Sequence, residues 1–171
     1  HATYNDLSSV KALITAKTAA IIIEPVQGEA GVVPAKQEFL LGVRDLCTQN
    51  GVLLIMDEVQ SGVGRMGNLF GYKAFGIEPD ILTSAKGLGG GIPIGATLTK
   101  NDIASSMSVG SHGSTFGGNP MACAVADKVI EIVSNPNFLQ EVKEKETLLV
   151  NKLEGVSKKH QAFREIRSSG L

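Results

Sequence analysis

The sequence predicts an α/β fold in which a mostly parallel sheet carries helices on both faces. Three observations carry that expectation. The apolar runs "AAIII" and "VLLIM" are strand-sized, and nothing approaches the length of a membrane span. They alternate with stretches whose apolar residues recur at helical spacing. The strand-like runs are also apolar at successive positions, as in strands covered from both sides.

The elements follow in order. "TAAIIIEP" (18–25) is β-branched and unbroken until Pro25, and "VQGEAGVVP" reads as a loop carrying Glu29. From Lys36 to Asn50 the apolar residues fall at 39, 40, 43, 46 and 47, a helical stripe, and Gly51 is placed as its stop. "VLLIMDE" (52–58) is a second apolar strand, ending in two acids. A glycine-rich loop, a short helix around "LFGYKAFG", a third strand "DILTSA" and a fourth, "IGATLT" (94–99), come next. Asn119-Pro120 is a helix start, with proline at the first helical position, for "PMACAVADKVIEIVSN". A long charged helix spans roughly 136–160 and serves as a solvated or domain-connecting face. We read 1–135 as part of a large sheet domain, and 136–171 as a connecting helix with the start of a smaller domain.

Composition narrows the function classes. The 171 residues are 43% hydrophobic, ordinary for one sizeable core. A net charge of −1 gives no reason to expect nucleic acid or an acidic membrane surface as partner. With no span and no visible signal peptide, a cytoplasmic location is expected. Cys47 and Cys123 lie in helix-like segments with no CxxC or nearby histidine, so both read as reduced core thiols. His1, His112 and His160 are too scattered for a metal site. Arg65 in "GVGRMG" reads as a surface or a loop-ordering arginine. The glycines cluster at 62–71, 87–95 and 110–118, around the charged residues of interest.

In parallel sheets the ligand crevice lies outside the carboxyl ends of the strands. Glu24, Asp57 and Lys86 each follow such an end, so three ionisable groups should gather at one edge. Asp57 has three readings here: a capping acid, a Walker B acid, or the partner of Lys86. The Walker B role needs a phosphate cradle of the GxxxxGK[ST] type, and the chain has no Gly-Lys dipeptide. The third reading is the chemistry of pyridoxal phosphate enzymes: a lysine forms a Schiff base with the cofactor aldehyde, and an acid pairs with the protonated ring nitrogen. Small neighbours, Ala85 and Gly87, let a ring approach the backbone at Lys86. Val59 offers an apolar surface to a ring face, and Gln60 a donor to the phenolic oxygen. A catalytically silent sheet domain that serves only in assembly stays open beside these readings.

At these residues the chain resembles the class III aminotransferases, fold type I pyridoxal phosphate enzymes. The matching pieces are "IIIEPVQGEAGVVP" (21–34), "LLIMDEVQSGVGRMG" (54–67), "PDILTSAKGLGGGIPIGA" (79–96) and "GSHGSTFGGNPMACAVA" (110–126). The resemblance runs over essentially the whole chain. It implies the large domain of that fold, incomplete at both ends, with pyridoxal 5'-phosphate as cofactor. It makes Lys86 the Schiff-base lysine, Asp57 the partner of the ring nitrogen, Val59 the ring-face contact and Gln60 the contact to the phenolic oxygen. It assigns Thr115 to the cofactor phosphate of the neighbouring subunit, which implies a homodimer; Ser114 is its neighbour in that role. Glu29 matches the glutamate that pairs with an arginine and swings aside to admit an α-carboxylate, and Glu24 a site acid of more structural role.

Within the family the chain is most similar to acetylornithine and succinylornithine aminotransferases. These move the terminal amine of an N-acylornithine to 2-oxoglutarate. Ornithine and 4-aminobutyrate aminotransferases share every motif quoted. Family members are more than twice this length, so the 171 residues alone are expected not to transaminate. Ser168, in "RSSGL", stands where the family usually has glycine.

Overall fold

The computed structural model describes residues 1–161 and 163–171. Helix α1 (Leu7–Leu13) starts at Asp6, whose carboxylate accepts the backbone N–H groups of Ser8 and Ser9, a side-chain cap for donors that the first turn leaves unpaired. Strand β1 (Ala20–Ile23) follows, then a two-stranded antiparallel piece, β2 (Val26–Gln27) with β3 (Val33–Pro34). The segment expected as an unstructured loop thus pairs with itself and holds Glu29 at its tip.

Helix α2 (Gln37–Asn50) is the predicted stripe. Phe39, Leu40, Val43 and Cys47 are buried on one face, and Gly51 ends the helix in the left-handed conformation (φ 64°), its N–H reaching the Cys47 and Thr48 carbonyls. Only a residue tolerant of positive φ stops a helix this way, which is why glycine stands there. Strand β4 (Leu53–Asp57) alternates in burial, and its Leu54 and Met56 join the α2 stripe in the core together with Val10, Phe75 and Ile77.

After β4 come a 3₁₀ turn at Gly71–Phe75, strand β5 (Ile81–Ser84), a second 3₁₀ turn at Lys86–Gly89 and strand β6 (Ala96–Thr99). The sheet order is β1-β4-β5-β6, parallel for the first two pairings and antiparallel for β5 with β6. Short α3 (Asn101–Ala104) leads through an exposed loop to α4 (Pro120–Val133). Asn119 caps α4 by accepting from Met121 and Ala122, with Pro120 first in the helix, as the sequence predicts. Helix α5 (Pro136–His160) repeats the device with Asn135 and Pro136, and its last turn carries Lys158 and Lys159, cations suited to the negative end of the helix dipole.

One expectation needs correction. Cys47 is a buried core thiol, but Cys123 is exposed on α4, because the buried stripe of that helix runs through Ala122, Ala126 and Val133 instead. Helix α2 covers one face of β4, while on the other face Ile22 of β1 stands 64% exposed. Among the described residues no helix is long and apolar enough to cross a membrane.

Candidate active site

Glu24 follows directly on β1, Asp57 closes β4, and Lys86 comes two residues after β5 ends. These three strands are adjacent and parallel, so the three groups stand at one carboxyl edge of the sheet, as expected.

Asp57 lies opposite Thr83 in the β4–β5 register. Its Oδ1 accepts the Val59 N–H at 3.1 Å and the Thr83 hydroxyl at 3.2 Å. Strand alternation turns the next residue the other way. Glu58 is fully buried; its Oε2 accepts from the Ser61 hydroxyl (2.7 Å) and the Gly71 N–H (2.8 Å), and its Oε1 from the Tyr72 N–H (2.6 Å). Burial pushes the Glu58 pKa up, against the pull of those three donors, and the Asp57 charge adds to the rise. The two acids of "DE" therefore do different work: one faces the edge, the other ties β4 to the loop at 61–72.

Lys86 has φ 43°, in the left-handed region that a lysine seldom adopts. It opens the 3₁₀ turn whose end, Gly90, is also left-handed (φ 55°). Strain of this kind persists where the surroundings over-determine the backbone, and it clusters at functional sites. The side chain is exposed, lines a cavity of about 370 Å³ with Val59, Gln60, Gly87 and Arg167, and takes part in none of the ion pairs among the described residues.

Asp57 lines a different cavity, of about 500 Å³, with Tyr4, Glu24 and Gln27. The structure thus brings Lys86, Val59 and Gln60 together on one side and Asp57 with Glu24 on the other, all at the same sheet edge. The two hydrogen bonds to Oδ1 keep the carboxylate on the Thr83 face of the strand, whereas Lys86 lies beyond the strand end, in the turn.

The remaining expected residues are placed as follows. Gln60 Nε2 donates to Glu29 Oε1 at 2.9 Å, across the bare backbone of Gly28, where a Cβ would come within 2.0 Å of Gln60 Oε1. Glu24 Oε2 accepts the Gly28 N–H (3.2 Å), and its carbonyl accepts the Tyr4 hydroxyl (2.8 Å). Burial, with the Glu24 charge second, drives the Tyr4 pKa upward, so that hydroxyl stays protonated as a donor. Ser114 and Thr115 sit on the exposed loop before α4 and line neither cavity; Ser114 Oγ accepts the Gly117 N–H at 3.0 Å.

Several contacts were beyond sequence reasoning. Arg65 is the loop-ordering kind: its Nη1 donates to the Leu171 carbonyl at 2.8 Å. Arg167 Nε donates to the Gly31 carbonyl at 2.9 Å, across 136 positions of sequence, and so fixes the loop that carries Glu29. Ser168 Oγ donates to Glu146 Oε1 at 2.8 Å, which gives the residue at the usual glycine position a structural partner on α5. Thr83 carried no signal beyond its place in a strand; only the pairing register reveals it.

A strained lysine after β5, an acid at the end of the neighbouring β4 and glycine-rich loops between them mark one edge of an α/β sheet as the candidate site. The family model for class-III aminotransferases matches residues 1–171, and the chain belongs to that family. That membership sets aside the reading of "LLIMDE" as a nucleotide-binding segment. The succinylornithine transaminase of Yersinia pseudotuberculosis serotype O:1b (strain IP 31758) is 53% identical over all 171 residues, which span 41% of that protein. The crystal structure of acetylornithine aminotransferase from Elizabethkingia anophelis superposes with a TM-score of 0.91 at 37% identity, covering 98% of this chain and 43% of that one. An ornithine aminotransferase from Toxoplasma gondii, crystallised in the presence of oxidised glutathione and described with partial occupancy of PLP at its active site, gives 0.87 at 35%, covering 98% and 40%. The chain thus spans about two fifths of the length of the proteins it matches.

Proposed function

We propose that this chain is the central part of the cofactor domain of a pyridoxal-phosphate aminotransferase that moves the terminal amine of N-acetylornithine or N-succinylornithine to 2-oxoglutarate. The observation that carries the reading is Lys86, held in a left-handed backbone at the sheet edge, lining a cavity and free of ion pairs among the described residues. The donor set fits the cofactor. The lysine is flanked by small residues and shares its cavity with the apolar Val59, while Asp57, which spends one oxygen on the protein, lines a second cavity at the same sheet edge.

When bound, pyridoxal phosphate supplies an electron sink beside the substrate carbon that loses its proton. Lys86 Nζ would hold the cofactor aldehyde and, as a free amine, would accept and return the proton of that carbon. Asp57 would pair with the ring nitrogen and favour its protonated form. Val59 would offer the ring an apolar surface and keep water from that face. Gln60 donates to the phenolic oxygen, and its hydrogen bond to Glu29 ties that contact to the loop held by Arg167. Glu29 orients the substrate's charged end, and Glu24 fixes the turn at Gly28. Ser114 and Thr115, on an exposed loop, serve the phosphate site of a second subunit in a homodimer. Residues 1–135 belong to the large domain, and 136–171 lead into the small one.

The acylornithine assignment is supported by the 53% identity to a succinylornithine transaminase and the 50% identity to an acetylornithine/succinyldiaminopimelate aminotransferase. A half-reaction screen of the full-length protein tests it. N-acetylornithine, N-succinylornithine, ornithine and 4-aminobutyrate are titrated against the visible absorbance of the lysine-bound cofactor. Bleaching at the lowest concentration by an acylornithine is expected, and Lys86→Ala removes the band altogether. Preference for ornithine or 4-aminobutyrate overturns the substrate assignment, and a colourless full-length protein overturns the cofactor.

A further inference from the structure

We propose that Thr83 is the positioning residue for the Asp57 carboxylate: its hydroxyl, with the Val59 N–H, occupies one carboxylate oxygen and leaves the other for the cofactor's ring nitrogen. The inference rests on the cofactor reading above. Register makes it possible, because Asp57 and Thr83 are direct partners in the parallel β4–β5 pairing and their side chains share a face.

The geometry is asymmetric. Oδ1 accepts both hydrogen bonds, at 3.1 Å from Val59 N and 3.2 Å from Thr83 Oγ1, while Oδ2 accepts none among the described residues. A carboxylate at a strand end is otherwise free to rotate about its last torsion, which is broad and roughly two-fold. Two donors converging on one oxygen, one from β5 and one from the turn that follows β4, restrict that freedom. The Thr83 backbone contributes too, since its carbonyl accepts the Glu58 N–H at 3.0 Å, so the residue grips the end of β4 from both its main chain and its side chain. Hydrogen bonds to a charged acceptor are roughly twice as strong as neutral ones, so losing one at the oxygen opposite the ring has a measurable consequence.

The test uses the full-length protein and compares Thr83→Val, which keeps the β-branched shape and removes the hydroxyl, with Thr83→Ser, which keeps the hydroxyl. Thr83→Ala serves as a second hydroxyl-free variant in case valine misfolds. Dissociation constants are measured for pyridoxal phosphate and for its analogue with a C–H in place of the ring nitrogen. The expected result is a loss of about five- to tenfold for pyridoxal phosphate in the valine or alanine variant, near-full rescue by serine, and no change for the nitrogen-free analogue. Equal losses for both cofactors, or no loss for either, overturn the assignment of Thr83, because a merely structural threonine cannot tell nitrogen from carbon. Failure of the unsubstituted protein to take up pyridoxal phosphate at all overturns the cofactor reading itself.

Discussion

Replacing Glu58 separates the structural acid of the "DE" pair from the chemical one. All three of its partners are donors: the Ser61 hydroxyl and the N–H groups of Gly71 and Tyr72. Glutamine has nearly the same shape but turns one carboxylate oxygen into an NH₂. If the amide oxygen takes the place of Oε2, which serves two donors, the NH₂ then faces the Tyr72 N–H. A buried donor left unpaired costs about 1–3 kcal/mol, so Glu58→Gln is expected to destabilise the protein by about 2 kcal/mol. Glu58→Ala loses all three acceptor contacts and leaves a void in a fully buried position, for about 3–5 kcal/mol. Urea unfolding of the full-length protein at neutral pH measures both. An unaltered stability in the glutamine variant would refute the reasoning, because it would mean that this carboxyl is not needed as a double-sided acceptor. There is a pH signature as well. Burial holds the Glu58 pKa above its unfolded value of about 4.3, so the folded state keeps its proton to higher pH than the unfolded chain. The contribution is fully present below that value and is lost as pH rises through the raised native pKa. Glu58→Gln abolishes that slope.

Asp80 shows the opposite sign. Burial acts to raise its pKa, but the Leu54 N–H (2.7 Å), the hydrogen bond and charge of Arg44 (2.7 Å) and the charge of Lys100 together hold it below the ordinary carboxylate range. Its contribution is present above the unfolded value of about 3.9 and is lost as pH falls through the depressed native pKa; Asp80→Asn should flatten acid unfolding followed by circular dichroism in that range, and an unchanged acid limb would contradict it. At Lys86 the left-handed backbone predicts that Lys86→Gly is more stable than Lys86→Ala by about 1 kcal/mol in the cofactor-free full-length protein, since neither variant has the amine and only glycine relieves the strain. Thermal unfolding compares the two, and a more stable alanine variant would show that the backbone relaxes there.

Much of the scaffold was legible in advance because it is written in local chemistry. The α2 stripe with Gly51 after it, and the Asn-Pro starts of α4 and α5, each depend on a few neighbouring residues whose propensities agree. What escaped notice depends on residues far apart in the chain. Nothing near Gly31 announces Arg167, and nothing near Asp57 announces Thr83; both contacts exist only once strands and helices are placed. The α1 helix and the β2–β3 pair were missed for a related reason, being too short to show a periodic pattern. Cys123 departs from the core-thiol reading because a helix-like segment does not say which face is buried: α4 buries Ala122, Ala126 and Val133 and leaves position 123 outside.

The candidate site adds a reason of its own. Local preference and final structure agree along β4 and β5 up to the strand ends and part company at Lys86, where a side-chain-bearing residue occupies backbone space suited to glycine. Glycines are plentiful on its C-terminal side, at 87, 89, 90 and 91, so supply does not explain the choice. A lysine that stands against a local conformational cost of about 1–2 kcal/mol is the ground on which we propose a use for its amine. The same logic separates the two acids of "DE": Glu58 is satisfied by three protein donors, whereas Asp57 keeps one oxygen unspent among the described residues. Among the described residues one buried side-chain polar atom lacks a partner, Ser84 Oγ, and it lies between Thr83 and the turn at Lys86, at the edge where we propose that the ligand sits.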